Sequence, residues 1–368
     1  MRITFIGSFV KAKTGIERIN EELIRKLIQC YKIEEIDIVT SENRAEFPFD
    51  IVKSSKVKTY VFPASFLRSP FSILRFLKTV YKNPILVIAN IRPWAILVYK
   101  FYPFFRKKTK ILQIVPDIIA WHYPKFFPFL TSFTFKIFGI FFKNFPTLYV
   151  VHSEFTKRDM IKEWGISESK INVVPLGSFV KPMIPRENFM GRKVLYVGTI
   201  EPRKGVDKLL EAFEIAKKEI QDIELIICGK MGWKVKDLGK KLERLSKEGK
   251  GVKYLGYVSD DELIKLFREV DVCVYPSIYE GFGLPPLEAM ALGCPVIVSG
   301  NSSLPEVVGE AGLTINPYDP KEMASAIVHV LKDANLKKKM SLLGIERAKA
   351  LDLEKNLAKL IKLIKSLK

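Results

Sequence analysis

The chain is short of cysteine, histidine and acid. Its 368 residues hold four cysteines and three histidines, and 40 Asp and Glu stand against 60 Lys and Arg. The cysteines, Cys30, Cys228, Cys273 and Cys294, are far apart and form no C-x-x-C pair. That spacing argues against a zinc site or a disulfide framework and suits a reducing interior. The opening MRITFIGSF runs straight into a strand-like segment, without the longer apolar core of a signal peptide. We find no low-complexity tract and no internal repeat beyond two similar halves. The deficit of acid leaves a formal net charge of +20, which favours anionic partners.

What is present is a series of short β-branched apolar runs alternating with helical patterns. In the first half the strands are expected at Ile3–Ile6, Ile36–Val39, Leu86–Ala89, Lys110–Val115 and Thr147–Val151, with helices over Glu17–Cys30 and Glu154–Trp164. Ser153 stands where an N-cap belongs. Such apolar runs suit a parallel sheet covered on both faces. In the second half, strands at Val194–Val197, Glu224–Cys228, Val252–Tyr254, Asp271–Tyr275 and Pro295–Val298 alternate with helices. Those helices are Val206–Glu219, Asp237–Lys247, Ser259–Glu269, Pro286–Leu292 and Lys321–Lys332. Ser259 and Glu262 have the spacing of a capping box. The alternation implies two doubly wound α/β domains with ligands at the carboxyl ends of their strands. The Pro- and charge-rich stretch 180–192 reads as a linker. The expected division is 1–182, 183–350, and a last basic helix, 351–368, packing back toward the first domain.

Residues 271–299, DVCVYPSIYEGFGLPPLEAMALGCPVIVS, carry the most chemistry. A buried strand leads into a loop with Gly281 and Gly283, and Pro285 and Pro286 open a helix. The positive end of that helix would face the loop and make an anion site. Glu280 and Glu288, eight positions apart, would oppose a phosphate but could grasp the hydroxyls of a diol. Taken singly, each also reads as an ordinary loop or helix-start carboxylate.

The whole string resembles the E-x7-E motif of the retaining glycosyltransferases of family 4, which have the GT-B fold of two Rossmann-like domains facing a central cleft. Residues 194–213, VLYVGTIEPRKGVDKLLEAF, resemble that family's strand–loop–helix with an Arg-Lys pair, here Arg203 and Lys204. Residues 252–264 and 301–307 continue the likeness. The resemblance implies a hexose moved from a nucleotide-diphosphate sugar to a glycan or lipid-linked acceptor. Arg203 and Lys204 would neutralise the leaving diphosphate, Glu280 would hold sugar hydroxyls and Glu288 the ribose. The backbone near Tyr257 and Val258 would face the base, with Phe282, Gly283 and Leu284 lining the donor. No D-x-D triplet occurs, so no metal and no cofactor are expected. The form TGIER at 14–18, with Gly15 as the loop glycine meeting the donor phosphates, is most similar to members that transfer mannose. GDP-mannose is therefore the leading donor, with UDP-glucose or a UDP-N-acetylhexosamine next. A catalytically weak nucleotide-sugar-binding relative is the alternative.

The likeness thins before residue 194. Where many relatives have His-Asp after the strand near residue 115, this chain has Pro116 and Asp117; Asp117 matches, and His122 lies a few residues on. His152 reads as a packing residue and His329 as helical.

Residues 100–143 hold eight Lys or Arg, fourteen Phe, Tyr or Trp, and one acid. From Phe129 to Lys143, the residues Ser132, Lys136, Gly139 and Lys143 line one narrow helical stripe. A spanning helix needs about 20 apolar residues, and Lys136 would lie at mid-bilayer. Two readings stay open: a helix lying on an anionic membrane surface, or a core helix whose lysines snorkel outward. No nucleic-acid motif is present. The expected setting is cytoplasmic, with peripheral contact to the inner face of the membrane.

Overall fold

The computed structural model describes residues 1–368 apart from 10–14, 42–46, 63–64, 66–68, 92–94 and 190. The chain divides into two units, residues 1–175 with 354–368, and residues 176–353. The division falls at Pro175/Leu176, seven positions before the expected 182/183.

The first unit is built on β1 (Arg2–Ile6), β2 (Glu35–Ser41), β3 (Val57–Phe62), β4 (Ile85–Ile88), β5 (Lys110–Ile114), β6 (Leu148–Val151) and β7 (Ile171–Val173). They form a parallel sheet in the order β3-β2-β1-β4-β5-β6-β7. Its helices are α1 (Gly15–Gln29), α2 (Phe49–Val52), α3 (Pro70–Val80), α4 (Ala95–Phe105), α5 (Ile119–His122), α6 (Phe129–Ile137) and α7 (Glu154–Trp164). The central strand β4, Ile-Leu-Val-Ile, is buried throughout because helices cover both faces. Ser153 caps α7 by accepting from the Thr156 N–H, and Gly165 ends that helix in the left-handed conformation.

The second unit carries β8 (Lys193–Val197), β9 (Glu224–Cys228), β10 (Val252–Gly256), β11 (Val272–Tyr275), β12 (Val296–Ser299) and β13 (Gly312–Ile315), in the parallel order β10-β9-β8-β11-β12-β13. Its helices are α8 (Val206–Glu219), α9 (Lys236–Lys247), α10 (Asp260–Glu269), α11 (Leu284–Ala291), α12 (Leu304–Val308), α13 (Pro320–Lys332) and α14 (Ala334–Ala350). The Ser259–Glu262 capping box forms in full. The last helix, α15 (Leu353–Ser366), counts with the first unit from Glu354 onward, where Glu354 pairs with Lys26 of α1 at 2.5 Å.

One expectation needs correction. Residues 180–189 are not a linker but part of the second unit. Arg186 is buried and donates to the Val270 carbonyl, its backbone N–H donates to Ser341 Oγ at 2.8 Å, and Met183 N–H reaches the Ala291 carbonyl at 2.9 Å. The segment is stitched onto the second unit. The stripe that begins on α6 is split between inside and outside. Ser132 and Gly139 point inward, where Ser132 Oγ donates to the Pro124 carbonyl at 3.1 Å and a Cβ on Gly139 would lie 2.5 Å from Trp164 Nε1. Lys136 alone of the inner three is exposed.

Candidate functional site

In each sheet the chain winds first one way and then the other. The strands either side of that reversal, β8 and β11 in the second unit, have their following loops side by side at the carboxyl edge. Such a switch point is where open α/β sheets bind ligands. The loop after β8 carries Glu201, Arg203 and Lys204, and the loop after β11 carries Tyr279 and Glu280. Gly205 is what lets the two loops touch. It adopts φ +67°, and a Cβ there would lie 2.3 Å from the Pro276 carbonyl oxygen. The Ile278 N–H donates to the Arg203 carbonyl at 2.8 Å across the same seam.

The side chains then converge. Arg203 donates to Glu280 Oε2 at 3.1 Å, to the Tyr279 carbonyl at 3.2 Å, and through Nε to Glu201 Oε2 at 2.9 Å. Lys204 Nζ donates to the other Glu280 oxygen. Glu280 is fixed from behind by Ser302 Oγ, which accepts its backbone N–H at 3.1 Å, and by Ser303 Oγ, which donates to its carbonyl at 2.9 Å. Asn301 Nδ2 donates to the Ile278 carbonyl at 2.7 Å. Burial works to raise the Glu280 carboxyl pKa, but the charges of Lys204 and Arg203 outweigh it and hold the group at about 2. The Lys204 ammonium moves the other way: burial and the neighbouring Arg203 charge push it below its usual value. The two shifts assign opposite signs to one ion pair. The two close contacts to the Glu280 carboxylate, Arg203 on one oxygen and Lys204 on the other, decide for an intact pair at neutral pH.

Helix α11 begins beside this cluster. Gly283 is its N-cap at φ +122°, and a Cβ there would lie 2.6 Å from Leu304 Cδ2, so glycine is needed for the chain to enter the helix. The end is poorer in donors than the sequence suggests. Pro285 and Pro286 have no N–H, and the Leu287 N–H turns back to the Gly283 carbonyl at 3.4 Å. Within the first turn that leaves the Leu284 N–H. The anion-binding capacity here rests mainly on the two cations and the helix dipole. Glu288 lies on the second turn, 5% exposed, and Phe282 is buried.

The remaining sequence candidates are spread more widely. Val258 follows β10 at the edge of the second sheet and is half-buried; beside it Tyr257 is exposed, with Lys230 Nζ 4.7 Å from its ring centroid. Gly15 and Asp117 belong to the first unit. Gly15 opens α1, following β1 at that unit's own switch point; of the residues between them, 10–14 lie outside the described ones. Asp117 accepts the Ile119 N–H at 3.1 Å and so starts α5. His122 Nε2 lies 2.8 and 2.9 Å from the two oxygens of Asp159 on α7, and Trp121 Nε1 donates to Glu163 at 3.2 Å. His122, Asp159 and Glu163 are the one three-residue metal-type group among the described residues, already engaged with one another and with Trp121. His152 is buried on the Val174 carbonyl, and burial lowers it to about 4, so it is neutral at physiological pH. His329 is exposed on α13.

Two contributors escaped the sequence reading. Glu201, 5% exposed, orients Arg203, and Lys230 covers Tyr257. The signal for Glu201 was its place two residues before Arg203 at a strand end; Lys230 gave none beyond following β9. An open hollow of about 800 Å³ adjoins the Arg203 loop, lined by Pro202, Met231, Gly232 and Lys234, but it does not include Glu280.

Two doubly wound parallel sheets, one in each unit, match the GT-B fold. A crystal structure of Anabaena HepE in complex with UDP and glucose superposes with a TM-score of 0.76 over 100% of both chains at 17% identity. Residues 184–347, most of the second unit, match the family model described as glycosyl transferases group 1. Over 156 residues the chain is 43% identical to the O-antigen chain mannosyltransferase B of Escherichia coli, covering 42% of this chain and 41% of that protein. It is 32% identical over 197 residues to the MMP alpha-(1->4)-mannosyltransferase of Mycolicibacterium hassiacum, covering 51% and 46%. The chain thus spans less than half the length of these curated relatives.

Proposed function

We propose that this protein is a retaining glycosyltransferase that moves a hexose, mannose from GDP-mannose, onto a glycan or a lipid-linked acceptor at an anionic membrane surface. The observation that carries the reading is the meeting of Arg203, Lys204 and Glu280 at the β8/β11 switch point, beside the start of α11. Two fixed cations at one point suit a departing diphosphate, whose charge grows as the glycosidic bond breaks. Glu201 holds Arg203 from behind, so the guanidinium is set before the donor arrives. Glu280 grasps sugar hydroxyls as the diphosphate takes over the cations, and Glu288 binds the ribose. Gly15 and the backbone by Val258 bind the phosphates and the base. No residue of this cluster is free to act as a covalent nucleophile. The acceptor attacks from the face the diphosphate leaves, and a donor phosphate oxygen takes its proton. Mannose is favoured over other hexoses by relatives named as mannosyltransferases, which match 42% and 51% of this chain.

The test is a thermal-shift panel of nucleotide sugars, followed by transfer assays with the donor that binds. A ligand at 100 times its Kd should stabilise the fold by about 2.7 kcal/mol. GDP-mannose should shift the melt more than UDP-sugars, and transfer should survive chelation of divalent ions. A UDP-sugar giving the larger shift would move the donor assignment, and no shift with any member would sink the reading.

A further inference from the structure

Helices α3, α4 and α6 lie along one side of the first sheet and share a core: Tyr81 stacks on Phe105 at 4.2 Å between centroids, and Tyr99 meets Phe138 at 5.0 Å. After Ile137, α6 widens into a π turn, Phe138–Phe142, which packs against α4. The layer buries one set of aromatics, Phe76, Tyr99, Phe135 and Phe138 among them, and turns a second set outward. Phe71 on α3, Phe104 on α4 and Phe129 on α6 are 85, 80 and 82% exposed, with Phe133 and Phe141 exposed beside the last. Cations run through the same surface: Arg75 and Lys78 on α3, Lys100 on α4, the Arg106-Lys107-Lys108 run that follows it, and Lys136 on α6. Among the described residues, no ion pair engages any of them. In sequence the stretch is one-sided in charge: residues 51–153 contain 16 Lys or Arg and one acid, Asp117.

We infer that this three-helix face is a docking surface for an anionic lipid bilayer, with the phenylalanines entering the headgroup boundary and the cations meeting lipid phosphates. Aromatic residues standing out of a strongly basic surface match an interface that is apolar at depth and negative at its rim. A second copy of the chain fits poorly, since two faces of this charge would repel. No described helix is long and apolar enough to cross a membrane, so the contact is made from one side. The inference deepens the membrane part of the reading above and replaces a single lying helix with a face built from three. Its failure leaves the transfer chemistry untouched.

The experiment is vesicle flotation of the full chain on phosphatidylcholine alone and on phosphatidylcholine with about a third phosphatidylglycerol, alongside transfer to a soluble acceptor. The protein should float with the anionic vesicles only, and high salt should weaken the binding. The R106Q/K107Q/K108Q variant should bind about a hundredfold more weakly, at roughly fivefold per cation. Phe104→Ser with Phe129→Ser should abolish flotation at moderate salt. Both variants should keep their melting temperature and their transfer to the soluble acceptor. No flotation at low salt, equal binding to neutral vesicles, or variants that bind like the parent would each overturn the inference. So would a concentration-dependent dimer that the phenylalanine changes dissolve.

Discussion

Arg203 is gripped by three oxygens, from Glu201, Tyr279 and Glu280, and Lys204 shares the last of these groups. In the proposed reading a diphosphate that settles here must compete with Glu280 for both cations; in the free protein that carboxylate stabilises the fold through them. The pH dependence follows from its depressed pKa. A carboxylate held at about 2 contributes stability that is fully present above the ordinary value near 4.3 and is lost as the pH falls through 2. The stability gap between the parent and Glu280→Gln should therefore stay constant from about pH 8 to 5 and shrink toward pH 2, as read from urea melts. A gap that closes between pH 7 and 5 would contradict the ion pair. His152 behaves in the same sense in a higher pH window. Its lowered value makes the folded state refuse a proton that the unfolded chain accepts below about pH 6.5. The first unit should lose about 3 kcal/mol between pH 6.5 and 4, and His152→Gln should flatten that slope in acid melts.

At the scale of elements, two loops meet because a glycine permits it. Gly205→Ala places a methyl against the Pro276 carbonyl in a left-handed backbone that L-residues resist by about 1–2 kcal/mol. We expect a loss of at least about 2 kcal/mol in denaturant melts, with transfer falling far more than donor-independent properties. Unchanged stability would show that the loops do not abut. The strand–loop–helix units around Arg203 and Glu280 were legible because their patterns are local: a buried apolar run, a glycine, then an amphipathic or proline-started helix. Helices α7 and α8 and strand β9 fall at the bounds that their sequence cues imply. What escaped was less patterned. Strand β3 is an edge strand with a mixed surface, β7 has three residues, and α14 buries Lys337, Ser341 and Gly344, so its apolar period is masked. Lys337 is buried because it pairs with Asp271 at 3.2 Å, a partner 66 positions away that no local window reveals.

For the whole molecule, the alternation of strands and helices made two doubly wound sheets legible, and a sheet order reversing after the first strand was implied in each. The assignment of 180–192 to a linker failed for a physical reason. Proline and charge mark a break in regular structure, but Arg186 finds backbone carbonyls and Phe189 in the second unit and is fixed there. On the stripe that begins at α6, the small size of Gly139 is what lets the π turn lie against Trp164, a contact 25 positions away that no local window reveals. The site itself was readable as a set of charged types, whereas the contact of Glu280 with both cations needed the fold.

The central claim is that Arg203 and Lys204 act on the departing diphosphate. The most direct measurement is single-turnover transfer by the Arg203→Ala, Lys204→Ala double variant under saturating donor, with its fold checked by a melt. Removing such preorganised charge should cut the chemical step by at least about 10²–10³-fold while the protein stays folded. A folded double variant that transfers sugar at the parent rate would contradict the account.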